Sequence, residues 1–213
     1  MSIKYVLPNE CTVDEWRNEM INETNDKIRY ISFKFFLEKG YEATNIRDIC
    51  KIVNIRPSSL YFYFKSKQDL FFNIYDDIWN KKIKYLENLN ELISTTSPDS
   101  KLKRLFTETI KYHTENISYE KFLLRYHLFP AEEIIPSLID RYKFWISKKN
   151  KITINLINEC IENKILDNSK NAKDYLQEYN RFVSQQVNEM LIYNIKISLE
   201  ELDFVWERFW NSL

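Results

Sequence analysis

A single glycine in 213 residues leaves this chain almost without the turn chemistry that β-hairpins demand, and prolines number only five. These two scarcities predict an all-α fold. The three cysteines, Cys11, Cys50 and Cys160, are far apart and form no C-x-x-C pair. That spacing argues against a disulfide frame or a zinc site, and for reduced thiols in a cytoplasmic protein. Histidine occurs twice. No Gly-rich phosphate loop, His/Asp/Glu metal cluster or nucleophile with a nearby base is readable, so an enzyme is the least favoured class and no cofactor or metal is expected. There is no run of about eighteen apolar residues and no signal-peptide pattern, so no membrane partner is expected either.

What charge there is sums to zero but is unevenly spread. Thr24 to Lys67 carries nine Lys/Arg against four Asp/Glu, the preceding residues two against five, and the remainder twenty against twenty-two. A basic segment of this kind is an electrostatic footprint for phosphate. Within it, Thr44 to Lys67 reads as two short helices joined by a tight turn. The first has apolar residues at Ile46, Ile49, Cys50 and Val53, the spacing of a one-sided helix. A turn follows at Asn54-Ile55. Pro57 suits a first helical position, and Leu60 and Phe64 form the inward face of the second helix. A second helix held across a first in this way is a helix-turn-helix, whose usual work is to enter a DNA major groove.

Ile28, Ile31, Ser32, Phe35, Phe36, Gly40 and Tyr41 lead into this stretch, and Leu60-Tyr61-x-x-Phe64-x-x-Lys67 ends it. That series resembles the N-terminal signature of the TetR (tetracycline repressor) family of transcription regulators over roughly Thr24 to Tyr75. The resemblance implies an N-terminal three-helix head over 24–70 and a larger helical domain for effector binding and dimerisation over 71–213, after an extension at 1–23. Carried over position by position, Tyr61, Tyr63 and Lys67 match residues that touch phosphate, and Thr44 matches the cap of the second helix, where a hydroxyl and free N–H groups can also hold a phosphate. Arg47, Pro57, Ser58 and Ser59 match positions that face bases. Arg47 is the strongest base-reading candidate, the alternative being a solvated helix residue. Arg56 departs from the usual Ser or Thr cap, and reaches for phosphate instead. Phe62 is expected to anchor the recognition helix to the head or to the next helix. Asn54, where relatives often carry glycine, should take a positive φ.

Helices are predicted over Val13–Asn22, Asp26–Lys39, Gln68–Ile93, Lys101–Ile117, Tyr119–Phe129, Ser137–Lys164, Ala172–Ile195 and Leu199–Asn211. Ser94–Ser100 is the clearest loop, and Pro130 and Pro136 bracket a break. The resemblance implies an effector pocket in the second domain, lined by aromatics and a few polar groups and taking a largely apolar small molecule. Candidates are Tyr112, His113, Tyr126, His127, Trp145, Asn155, Phe182 and Gln186; core packing is the competing reading for each. Leu176, Val183, Val187, Met190 and Leu191, with Leu202, Val205, Trp206 and Phe209, read as a homodimer interface, against the alternative of helices doubly buried in one subunit. Phe182, Ile192 and Tyr193 extend that stripe to a second side. The function expected is a homodimeric, ligand-responsive repressor on a near-palindromic double-stranded operator; rivals are an activator or a helical protein controlled by a protein partner.

Overall fold

Local chemistry sets most helix ends. The computed structural model describes residues 24–92, 96–193, 195 and 198–213, so the helix expected over Val13–Asn22 lies outside the described residues. Helix α1, Thr24–Lys39, stops at Gly40, whose φ of 86° only glycine takes without steric cost. Helix α2, Ile46–Val53, closes on Asn54 at φ 60°, ψ 49°, the left-handed geometry expected of that residue. Arg56 precedes α3, Pro57–Tyr63, without any side-chain cap, while Pro57 fills the first turn. Ser66 then caps α4, Lys67–Leu92, its Oγ accepting from the Asp69 N–H at 3.0 Å.

The remaining helices are α5, Pro98–Glu115, α6, Ile117–Leu128, α7, Ile135–Glu162, α8, Ala172–Tyr193, and α9, Leu199–Trp210. No strand occurs among the described residues, so the fold is all-α. Most boundaries shift by one to three residues from the sequence expectation, and three of the shifts have a readable cause. Helix α5 begins at Pro98, not Lys101, because proline at a first helical position starts a helix as readily as it ends one. Pro136 lies in the first turn of α7 for the same reason, behind a 3-10 turn at Glu132–Ile134. Helix α7 ends at Glu162, short of Lys164, which sits at φ 58° while the Ile165 N–H reaches back to the Cys160 carbonyl at 2.8 Å.

The chain divides into two compact units, one up to Ile74 and one from Tyr75. In the first, α1 turns Ile28, Ser32 and Phe36 inward at four-residue spacing. Ile46, Ile49 and Cys50 of α2 and Leu60 of α3 complete the floor. Its centre is a triplet of rings: Phe71 meets Phe36 edge-on at 5.3 Å and Tyr41 edge-on at 5.4 Å, and Phe36 stacks on Tyr41 at 5.8 Å.

In the second unit α5 is the central helix, packed against α7, α8 and α9. Phe106, Leu156, Cys160, Tyr179, Met190 and Trp206 are all buried in this core. That arrangement overturns much of the expected dimer stripe. Val183, Val187, Met190, Leu191, Leu202 and Trp206 are buried inside one chain, and Leu176, Val205 and Phe209 pack partly against the same core. The apolar surplus was real, but its first claimant is α5. Left exposed on these helices are Ile192, Tyr193 and Phe204, at 67%, 68% and 64% of their surface.

Candidate nucleic-acid interface and cavity

Helix α3 has seven residues, and only Leu60 is buried. Ser58, Ser59, Tyr61, Phe62 and Tyr63 are all exposed along it, and Pro57 and Arg56 lie exposed at its start. Phe62 is the extreme, 85% exposed and touching the Tyr63 ring edge-on at 5.4 Å. It therefore anchors nothing within the head, contrary to expectation. Leu60 carries the inward load within the helix, and Phe64, buried at its C-cap, continues it one turn on. Arg47, the second residue of α2, is also exposed.

Two residues expected at the phosphates have structural duties. The cap of α2 is Asn45, whose side chain accepts from the Arg47 N–H at 2.8 Å. Thr44 is buried one residue earlier, its hydroxyl donating to the Gly40 carbonyl at 2.6 Å. The hydroxyl is turned to the α1–α2 turn, so the helix-capping oxygen comes from the residue after it. Lys67 donates from Nζ to the carbonyls of Tyr41 at 3.0 Å and Thr44 at 3.3 Å, and lies over the Tyr41 ring. It remains half-buried, clamping the turn that presents α2.

The second unit holds a cavity of about 150 Å³ walled by α4 to α8. Apolar residues such as Leu123, Ile146, Val183 and Val187 make most of its wall, with Trp79 and Tyr142. Set into it is a buried polar cluster. Lys82 lies 3.2 and 3.3 Å from the two Glu120 oxygens, and His113 Nδ1 is 3.0 Å from Oε2 of the same carboxylate. Burial opposes the charge on Glu120, but Lys82 and His113 outweigh it and hold the carboxyl at about 2. Burial, seconded by Lys82, keeps His113 below the usual imidazole range. Lys149 also reaches the cavity.

The model for bacterial regulatory proteins of the tetR family matches residues 32–74. Among curated proteins, the biofilm operon icaADBC negative transcriptional regulator IcaR of Staphylococcus aureus is 38% identical over 84 residues, 38% of this chain and 43% of its own length. The probable transcriptional regulator YttP of Bacillus subtilis is 28% identical over 102 residues, 48% of this chain and 49% of its own. The chain thus spans about half the length of these curated relatives. Among solved structures, FadR of Bacillus subtilis in complex with stearoyl-CoA superposes with a TM-score of 0.68 at 15% identity, covering 88% of this chain and 98% of that one. A putative fatty acid metabolism regulator of Clostridium perfringens gives 0.67 at 20% identity, with the same coverage. Residues 32–74 thus match the tetR family of bacterial regulatory proteins, and the chain shares its fold with the solved structures.

Of the residues expected in an effector pocket, His113 and His127 line this cavity and the others do not. Tyr112 packs on Tyr85 and Tyr126 on Phe122, both buried. Trp145 donates from Nε1 to Asp76 at 2.9 Å, Asn155 is exposed, and Phe182 and Gln186 open onto a separate groove beside α9. Nor is the wall as apolar as expected, because Lys82, Glu120 and Lys149 escaped notice. A signal existed: Lys82 interrupts the inward series Tyr75, Trp79, Leu86, and Glu120 shares a helical face with Leu123 and Leu124. A charge on an apolar stripe marks a buried partner or a ligand.

Proposed function

We propose that this regulator is a homodimeric repressor that grips a near-palindromic operator through α2 and α3 and lets go when a small molecule enters the cavity. The observation that carries the reading is the outward face of α3, where a basic head offers a row of unburied side chains that serves no packing purpose. Base edges are read by few side chains near the start of such a helix, while phosphates are met by positive charge and hydroxyls. Arg47 and Ser58 are assigned to bases, Tyr61, Tyr63 and Arg56 to phosphates, and Lys67 to holding the turn with one donor left for phosphate. Phe62 supplies an apolar surface of the kind that meets a thymine methyl.

Pairing of two copies through the outer sides of α8 and α9 is supported by the exposed Ile192, Tyr193 and Phe204 and by the stack of Phe182 on Phe209 at 4.2 Å, which joins the two helices. The repressive sense is supported by the relation to IcaR, a negative regulator.

Selection of binding sites from a random duplex pool tests the reading. The native chain should enrich an inverted repeat. Arg47→Ala should relax one position in each half-site by about 1–3 kcal/mol, and Phe62→Ala should blur a thymine preference. Unaltered selectivity in Arg47→Ala removes its role; no enrichment by the native chain removes the whole reading.

A further inference from the structure

The cavity contains a positive charge without a counter-charge. Glu120 is engaged on both oxygens by Lys82, with His113 beside it. Lys149 has no such partner: its Nζ donates to the side-chain oxygen of Asn180 at 2.9 Å, and Asn180 in turn donates to Asn150 at 3.1 Å. No carboxylate lies within ion-pair distance of Lys149 among the described residues. Two lysines and one glutamate thus line the cavity, leaving it one positive charge in excess while His113 is neutral. Burial, then the like charge of Lys82, push the Lys149 ammonium down to about 8 against the pull of Glu120, and an anion placed beside Lys149 would oppose both.

Leu123, Ile146, Val183 and Val187 give the wall an apolar side, with Thr109, His127, Ser184 and Asn188 among its remaining polar members, and a space of about 150 Å³ is the size that admits one benzene ring. We propose that the effector is a small monocarboxylic acid with an apolar body of roughly one ring, its carboxylate received by Lys149 and its body by Leu123, Ile146 and Val187. The inference rests on the cavity being the effector site. An acid brings the missing counter-charge and forms a charge-assisted hydrogen bond, whereas the matching neutral amide brings only its dipole. A second carboxylate on the ligand has no cation left to meet it, because Lys82 is already paired.

The test uses the full chain and three probes, benzoate, phenylacetate and hexanoate, each beside its neutral amide. Binding is read by titration calorimetry and by fluorescence, since Trp79 is in the cavity wall. At least one acid should bind ten times or more tighter than its amide. Lys149→Met, which keeps the hydrocarbon stem, should abolish that preference, and Lys149→Arg should retain part of it. Amides equal to acids, no acid bound, or an undiminished preference in a folded Lys149→Met chain would each overturn the proposal. The acid–amide comparison on the native chain decides even if the variants do not fold. Operator binding is measured separately. A chain that binds its operator but none of the acids loses the ligand assignment alone; one that binds an acid but no duplex loses the regulatory reading alone.

Discussion

Glu120→Gln should destabilise the second unit by about 3–5 kcal/mol, the cost of leaving a buried cation without its partner. In a chain of this size that corresponds to a melting-temperature drop of about 10 °C. The substitution keeps shape and volume, so the loss isolates the charge. Lys82 and Glu120 are 6% and 5% exposed, and water cannot take over the solvation of the ammonium. Replacing both, as Lys82→Met with Glu120→Gln, should recover most of the loss, because a buried ion pair contributes little over a well-packed apolar substitute. A single-mutant cost below about 1 kcal/mol, within the range of exposed pairs, would show that the pair is solvated.

Acid should reveal the same pair without mutation. The folded-state carboxyl of Glu120 is held at about 2, below the range of an unfolded chain. Its contribution is therefore complete above about pH 5 and is lost progressively as pH falls toward 2. Unfolding by urea at stepped pH should show the native chain weakening across that window. In the double substitution the same window should be flatter. Equal slopes for the two proteins would place the titrating group elsewhere.

Phe71→Ala should cost about 3–5 kcal/mol in the first unit. Phe71 is fully buried and is the ring on which Phe36 and Tyr41 both bear edge-on. A domain of about fifty residues has a margin of only roughly 3–8 kcal/mol, so the variant head should be largely unfolded near body temperature. DNA binding should vanish while the helical signal of the second unit persists. Retained operator affinity in Phe71→Ala would mean that the ring triplet is not what holds α2 and α3 in place.

The features legible in the sequence were those whose cause is local. Gly40 and Asn54 declare left-handed turns by residue type, Pro57 and Ser66 declare helix starts, and Leu60 declares the inner side of α3. The head was therefore readable nearly residue by residue. The second unit was not, because its decisions are made between helices. Val183, Val187 and Met190 form a stripe under either reading, and whether α5 or a second copy covers it depends on packing that no spacing encodes. Thr44 and Asn45 show the limit even locally. Both can cap a helix, and the choice falls to Asn45 because the threonine hydroxyl is drawn to the Gly40 carbonyl. The cavity is legible only at His113 and His127, because its other distinguishing groups are ordinary lysines and a glutamate in unusual burial.

Cys50 and Cys160 are sealed in different cores, one under α2 and the other in α7. Burial raises both thiols, Cys160 to about 12, so neither reacts until its own unit opens. With Cys11 replaced by serine, the chain carries a separate built-in clock for each half. Modification rates at the two positions would report which half breathes first, and whether an operator slows one clock and an acid the other.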